Sequence, residues 1–174
     1  MTVRTIDAAL SREFGVVVDR IQNVSGDGDC LFSSLSLVCG GTHSATSLRR
    51  LVAKTVLLSH RLLDEACKMW KQLAPSELPD FNFYRGLEDE PLPLSANAQR
   101  RLATSMLDRA LYWGDDYSLS VLSVLMRRKI CVVCVHNRQA TLHVKRPVSE
   151  LNPPAFVLLV GDHYQAVFVR TARP

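Results

Sequence analysis

Residues 26–35 read Gly-Asp-Gly-Asp-Cys-Leu-Phe-Ser-Ser-Leu and predict a tight turn that leads directly into a helix. Glycine and aspartate fill the first four positions, and both residues tolerate positive φ and tight chain reversals. Apolar residues then recur at helical spacing, at Leu31, Leu35 and Val38. Cys30 is therefore expected at or near the first residue of the helix.

The first turn of a helix is a position where a thiol can become reactive. Its unpaired N–H groups and the positive end of the helix dipole favour the thiolate over the thiol. The same groups, beside Gly28, could bind a developing oxyanion. Against this, the carboxylates of Asp27 and Asp29 oppose ionisation of a nearby thiol. Most cysteines, moreover, are small buried hydrophobic residues. A nucleophile and a structural cysteine are both open interpretations of Cys30 here.

Composition and length predict one globular domain over residues 1–174. The chain is 47% hydrophobic and 22% charged, and its net charge of +4 is too small to argue for nucleic acid. No apolar run approaches the roughly 18 residues that a membrane-spanning helix needs. Five cysteines without framework spacing favour reduced thiols and a cytoplasmic location.

The order of the predicted elements indicates an α+β fold. A lead-in helix and an extended segment are expected before the turn at residues 26–30. Periodicity then predicts helices near residues 44–58, 62–73, 95–113 and 119–128, and strands near 130–136, 141–145, 155–161 and 164–170. With helices first and strands last, we expect a mostly antiparallel central sheet from the C-terminal half, packed against helices.

Other reactive side chains offer few alternatives. Cys131 and Cys134 lie three residues apart on a predicted strand, so they point to opposite faces and cannot share one zinc ion. The sequence contains no phosphate-binding glycine motif and no serine-hydrolase motif, so neither a metal nor a cofactor is expected. His163 follows a Gly161-Asp162 turn at the start of a strong strand, where rigid backbone would hold an imidazole that could pair with a distant cysteine.

Four blocks in order along the chain resemble the OTU (ovarian tumour) family of cysteine proteases. Residues 27–36 are similar to the family signature Asp-Gly-(Asn/Asp)-Cys-(Leu/Phe)-(Phe/Tyr)-x-(Ser/Ala)-(Leu/Ile/Val)-Ser. Residues 47–52 resemble its Leu-Arg helix, and Trp113-Gly114-Asp115 followed by residues 119–135 resembles its third block. Residues 163–167 read His-Tyr-Gln-Ala-Val, which is similar to the family's His-Tyr-(Asn/Asp)-x-Val.

The resemblance implies a deubiquitinase that cleaves isopeptide bonds after the C-terminal Gly-Gly of ubiquitin or a ubiquitin-like modifier. It implies that Cys30 is the nucleophile and His163 the general base. Asp27 and the following backbone of Gly28 and Asp29 would shape the oxyanion hole. Gln165 stands where the family usually has Asn or Asp.

Gln165 is expected to accept the Nδ1–H of His163, which would leave Nε2 for Cys30, because alternate residues of a strand share a face. Asp162, one residue before the histidine, is the rival orienting residue. Which of the two side chains acts is open.

The resemblance also implies partners: ubiquitin or a related modifier, and the proteins that carry it. Because such a modifier has a basic stretch before its Gly-Gly, Glu88, Asp89 and Glu90 are candidate substrate-binding residues, together with Trp113. A monomer is expected. The compact length resembles OTU domains of viral proteins, and for a viral protein the location would be the host cytoplasm.

Two other classes of function are open. A catalytically inactive ubiquitin-binding module would keep the core and lose the Cys30–His163 pair, but both residues are present. A nucleic-acid-binding domain could use the clustered cations, but these lack the interleaved aromatic residues of a stacking platform and are interpreted as solvated helix faces. The cations are Arg49, Arg50, Arg100, Arg101, Arg127, Arg128 and Lys129.

Overall fold

The computed structural model describes residues 3–58, 60–72, 87, 89–137 and 139–172. The helices of this part are α1 (Val3–Phe14), α2 (Cys30–Val38), α3 (Ala45–Leu58), α4 (His60–Lys71), α5 (Ala96–Leu107) and α6 (Asp116–Met126). Its strands are β1 (Val16–Gln22), β2 (Ile130–His136), β3 (Gln139–Lys145), β4 (Ala155–Val160) and β5 (His163–Thr171). None of these helices is both long and apolar enough to cross a bilayer.

The strands form one mixed sheet in the order β1-β5-β4-β2-β3. Strands β2 and β4 pair in parallel and the other neighbours pair antiparallel. The predicted α+β class and mostly antiparallel sheet are confirmed. The sheet also includes the N-terminal strand β1, whose register shifts between Val18 and Arg20 as it pairs with β5. The sequence predicts only an extended segment there, because Asp19 and Arg20 interrupt the apolar alternation of an ordinary strand.

Helices cover both faces of the sheet and create two apolar cores. Helix α1 buries Ile6 and Leu10 against one face, and α2 to α6 bury the larger core against the other. Cys131 belongs to the α1 side and Cys134 packs on the opposite side, as alternation along a strand requires.

Helix α5 is shorter than predicted. It ends at Leu107, because the Asp108 carboxylate accepts the backbone N–H of Ala110 at 2.8 Å and so offers the chain a turn in place of another helical bond. The released segment runs to Asp115, whose carboxylate accepts the Ser118 N–H and caps α6. Residues 108–115 are thereby free to pack against the turn before Cys30.

A buried arginine connects these parts. Arg49, only 3% exposed, donates from Nε to the Asp29 carboxylate at 2.7 Å and from Nη2 to the Gly28 carbonyl at 2.8 Å. Its Nη1 donates to the carbonyls of Met106 and Tyr112, each at 2.7 Å. The interpretation of Arg49 as part of a solvated helix face is therefore wrong. One guanidinium on α3 joins the end of α5, the segment after it and the turn before Cys30.

Replacing this guanidinium should destabilise the fold strongly. Arg49→Met removes the hydrogen-bonded cation of the buried Asp29 carboxylate, which keeps only its longer contact with Arg109. Breaking such a buried pair costs about 3–5 kcal/mol of unfolding free energy. Urea unfolding of Arg49→Met beside Arg50→Met, a neighbour on the exposed side of the same helix, measures it. A cost below about 1 kcal/mol for Arg49→Met would show that the turn is held by other contacts.

Candidate active site

Cys30 is the first residue of α2, as the sequence predicts, and Asp29 is its N-cap. The Asp29 carboxylate makes no capping bond to α2, since Arg49 binds it instead. The neighbouring Asp27 carboxylate accepts the backbone N–H of Asp29 at 3.2 Å. The Asp29 carboxylate thus anchors the turn to the core through Arg49, and the Asp27 carboxylate closes the turn by a local hydrogen bond.

Two glycines let the loop before α6 approach the turn. Gly28 has φ +86°, and a Cβ there would lie 2.1 Å from the carbonyl oxygen of Arg109. Gly114 has φ +80°, and its Cβ would lie 2.8 Å from the Leu31 side chain on the first turn of α2. A larger residue at Gly28 would force the Arg109 backbone to move, and one at Gly114 would displace the Leu31 side chain and strain a positive φ. The Gly28 and Trp113-Gly114 motifs are therefore two sides of one contact.

Cations offset the acidic charge beside the thiol. Arg109 places Nη1 3.4 Å from the Asp27 carboxylate and Nε 3.7 Å from that of Asp29. Arg49 binds the other oxygen of Asp29. The two carboxylates that seemed to oppose ionisation of Cys30 are thus each paired with a guanidinium.

His163 begins β5, and its imidazole contacts a residue from the other end of the chain. Its Nε2 lies 2.8 Å from Oδ1 of Asn23. An amide oxygen can only accept, so Nε2 is the donor, and in the neutral imidazole Nδ1 is then the basic nitrogen. A methyl group added at Gly26 would lie 3.8 Å from Nδ1. The basic nitrogen of His163 therefore lies over the turn that leads to Cys30.

Gln165 contacts Asn23 rather than the imidazole. Its Nε2 donates to the same Asn23 oxygen at 3.4 Å. The sequence predicts Gln165 on Nδ1, whereas in the structure the bonded ring nitrogen is Nε2 and its partner is Asn23. Sequence reasoning missed Asn23 because it lies outside every motif. Asn23 directly follows Gln22, which lies opposite Ala166 where β1 pairs with β5. This long-range strand pairing brings Asn23 to His163, and no local sequence pattern predicts it.

Burial dominates the ionisation of Cys30. It raises the pKa of the thiol above its ordinary value, although backbone N–H groups of Tyr164, Leu31 and Cys30 itself act to lower it. The charge of Asp162 raises the pKa further. The helix N-terminus therefore does not offset burial, and a base would favour ionisation of this thiol. In the described part of the chain Asp162 makes no hydrogen bond to His163, so it acts on Cys30 through its charge alone.

A cavity of about 740 Å³ opens beside the turn. Two carboxylates and an aromatic ring are among its lining residues. The lining consists of Asp27, Leu107, Asp108, Arg109, Ala110 and Trp113. Neither Asp89 nor Glu90 is among these lining residues, and Glu90 pairs with Arg101 on α5. Glu88 lies outside the described residues.

The fold is similar to solved OTU domains. An OTU domain in complex with ubiquitin has a TM-score of 0.57 at 17% identity, over 88% of this chain and 70% of that one. The OTU protease of Dera Ghazi Khan virus has a TM-score of 0.57 at 17% identity, over 87% and 81%. The OTU deubiquitinase of Wolbachia pipientis wMel, bound to ubiquitin, has a TM-score of 0.55 at 11% identity, over 88% and 96%. No family model and no curated protein matches the sequence. The chain thus has the OTU fold.

The tautomer of His163 should depend on Asn23. We expect ¹⁵N NMR of the free protein to show the Nε2–H form, and Asn23→Leu to give a mixture of both tautomers because the acceptor is removed. Asn23→Asp keeps an acceptor and should preserve the Nε2–H form. Gln165→Leu should have a smaller effect than Asn23→Leu. An unchanged tautomer in Asn23→Leu would show that another group sets it.

The reactivity of Cys30 should follow its raised pKa. Alkylation by iodoacetamide should accelerate steadily from about pH 6 to about pH 9, without the acid plateau of a preformed thiolate–imidazolium pair. Asp162→Asn removes a charge that raises the pKa, so alkylation at neutral pH should become faster, whereas Asp19→Asn on β1 should leave it unchanged. Mass spectrometry of the modified peptide gives the rate. Slower alkylation in Asp162→Asn would contradict this electrostatic effect.

Proposed function

We propose that this protein is a cysteine isopeptidase that cleaves after the C-terminal Gly-Gly of ubiquitin or a ubiquitin-like modifier. The observation that carries the proposal is a thiol at the start of α2 that is buried in the same apolar cluster as Tyr164 of β5. That residue directly follows a histidine whose Nε2 is bonded to Asn23, which leaves Nδ1 as the ring nitrogen over the same turn. This arrangement stands within an OTU fold, and the OTU domains it resembles include one bound to ubiquitin.

The reaction would begin with proton transfer from Cys30 to Nδ1 of His163. The thiolate then attacks the carbonyl carbon of the terminal glycine and forms a tetrahedral oxyanion. The backbone N–H of Cys30 is the donor that supports this oxyanion. The Asp29 N–H is already bonded to Asp27, so Asp27 shapes the turn and does not itself supply a donor.

The imidazolium then returns its proton to the leaving lysine amine, and the carbon–nitrogen bond breaks to leave a thioester on Cys30. Water, deprotonated by Nδ1, hydrolyses the thioester and restores the thiol. In this scheme Asn23 orients the imidazole through both steps, and Gln165 supports Asn23.

The cavity beside the turn fits the charge of the modifier's tail. The lining carries two carboxylates, Asp27 and Asp108, against one guanidinium, Arg109, so it is net acidic and complements a basic segment before Gly-Gly. Trp113 adds an aromatic side chain to the same lining. Asp89 and Glu90 are not part of this lining, so their contribution to docking is a separate prediction.

Specific observations disfavour the other classes. Arg49, one of the cations considered for nucleic-acid binding, is buried and is therefore not exposed to bind a phosphate. An inactive binding module would not need a histidine held by Asn23 with a basic Nδ1. All five cysteines are free thiols, which agrees with the proposed cytoplasmic location. We propose that the protein acts there as a monomer.

A ubiquitin probe with an electrophilic C-terminus tests the proposal. The unaltered protein should form one covalent adduct at Cys30, and Cys30→Ala should form none while retaining the circular dichroism spectrum. Cys134→Ala, a partly exposed thiol on β2, is the matched control and should react normally. The same assay with a probe made from an interferon-induced ubiquitin-like modifier compares the modifiers. Tight binding of ubiquitin without an adduct would identify an inactive module and contradict the proposal.

A further inference from the structure

Helices α3 and α5 form a surface that the proposed reaction does not use. They pack side by side, and neither contains an aspartate or a glutamate, although these residues make up 17 of the 174 in the chain. The two helices carry five cations. Two of them are engaged, Arg49 with Asp29 and Arg101 with Glu90. The other three remain to be explained.

These three cations line a groove between the helices. Arg50, Ala53, Lys54 and Leu57 follow the i, i+3, i+4, i+7 spacing of one helical face. Arg100, Ala103, Thr104 and Leu107 follow the same spacing on α5. The two faces enclose a groove of about 510 Å³ lined by these eight residues. We define it as the basic groove.

The basic groove is unoccupied by any carboxylate of the described chain. Arg50, Lys54 and Arg100 are exposed and form no ion pair among the described residues. Leu57 and Leu107 are 46% and 50% exposed, so the groove also presents apolar surface. Three cations that no described carboxylate pairs with, set around small and apolar residues, complement a segment that is acidic and carries apolar side chains.

The basic groove adjoins the cavity beside the turn at one residue, Leu107. Leu107 belongs both to this groove and to the cavity that contains Asp27, Asp108 and Trp113. The acidic cavity suits the basic tail of the modifier, whereas the cations of the groove would repel that tail. A peptide in the groove therefore belongs to the other side of the scissile bond, to the protein that bears the modified lysine.

We propose that the basic groove binds an acidic, apolar segment of the acceptor protein and so selects which modified proteins are cleaved. The proposal rests on the proposed function for the identity of this partner. The binding itself is independent of catalysis, since none of the three cations contacts Cys30 or His163 among the described residues.

Fluorescence anisotropy tests the groove directly. The full chain should bind a labelled peptide of alternating glutamate and leucine, and the affinity should fall as NaCl rises from about 0.05 M to about 0.5 M. The triple change Arg50→Glu, Lys54→Glu, Arg100→Glu should weaken binding by about tenfold or more, because it replaces attraction by repulsion at three positions. The neutral triple change to Gln should lie between the two.

The matched control reverses three exposed cations elsewhere, Arg4, Arg12 and Arg170, each to Glu. It has the same net charge as the groove variant and should bind the peptide like the parent. An equal reduction of affinity in both variants would overturn the proposal in favour of attraction to net charge alone. Absence of peptide binding by the parent would also overturn it. If a single-stranded RNA of equal charge binds more tightly than the peptide, and the groove variant does not bind it, the ligand of the groove is nucleic acid and the proposal is overturned.

Hydrolysis separates this proposal from the proposed function. With ubiquitin linked to the lysine of an acidic or a neutral peptide, the groove variant should raise KM for the acidic substrate more than for the neutral one. The control variant should cleave both like the parent. If neither substrate is cleaved although the acidic peptide binds the groove, the proposed isopeptidase function is contradicted, whereas peptide binding by the groove is supported. An equal change in KM for both substrates would overturn the selective role of the groove.

Discussion

The bond between Arg49 and Asp29 is the contact on which the rest of the candidate site depends. A guanidinium is costly to bury, and it is tolerated here because its donors reach one carboxylate and three backbone carbonyls. Planar donors in a fixed fork can reach several segments at once, which an ammonium cannot. Lysine at this position could not make most of these hydrogen bonds.

The turn before Cys30 is therefore shaped from outside. Its carboxylates, Asp27 and Asp29, are held by cations from two other segments, and Gly28 admits the backbone of Arg109. These contacts place Cys30 at the start of α2, next to the first residues of β5. They do not ionise the thiol, since burial raises its pKa. Positioning of the thiol by the fold and its activation by a base are thus separate, and in the proposed reaction the activation falls to His163.

Much of the fold was accessible from local patterns. Helical periodicity and β-branched runs predicted α2, α3, α6 and the four C-terminal strands near their observed bounds. Cys30 and His163 could be singled out because each stands where a turn meets a regular element. The end of α5 was missed because one side-chain bond from Asp108 outweighs the apolar pattern that follows it.

Long-range contacts were not accessible in this way. Asn23 contacts His163 only because β1 joins the sheet beside β5, and no local pattern encodes that pairing. Arg49 did leave a signal, since it falls on the same helical face as Val52, Ala53 and Val56, all of them buried. A cation on the apolar face of a helix indicates a buried charge that has a partner. Judged by residue type alone, Arg49 was interpreted as a solvated surface charge.

A crystal structure of the protein joined covalently to a C-terminally activated ubiquitin tests the central claim most directly. The account predicts a bond between the Cys30 sulfur and the probe, with Nε2 of His163 still on Asn23 and Nδ1 about 3–3.5 Å from that sulfur. An adduct at another cysteine would contradict the account. So would a His163 ring that turns Nε2 toward the sulfur and leaves Asn23 without contact.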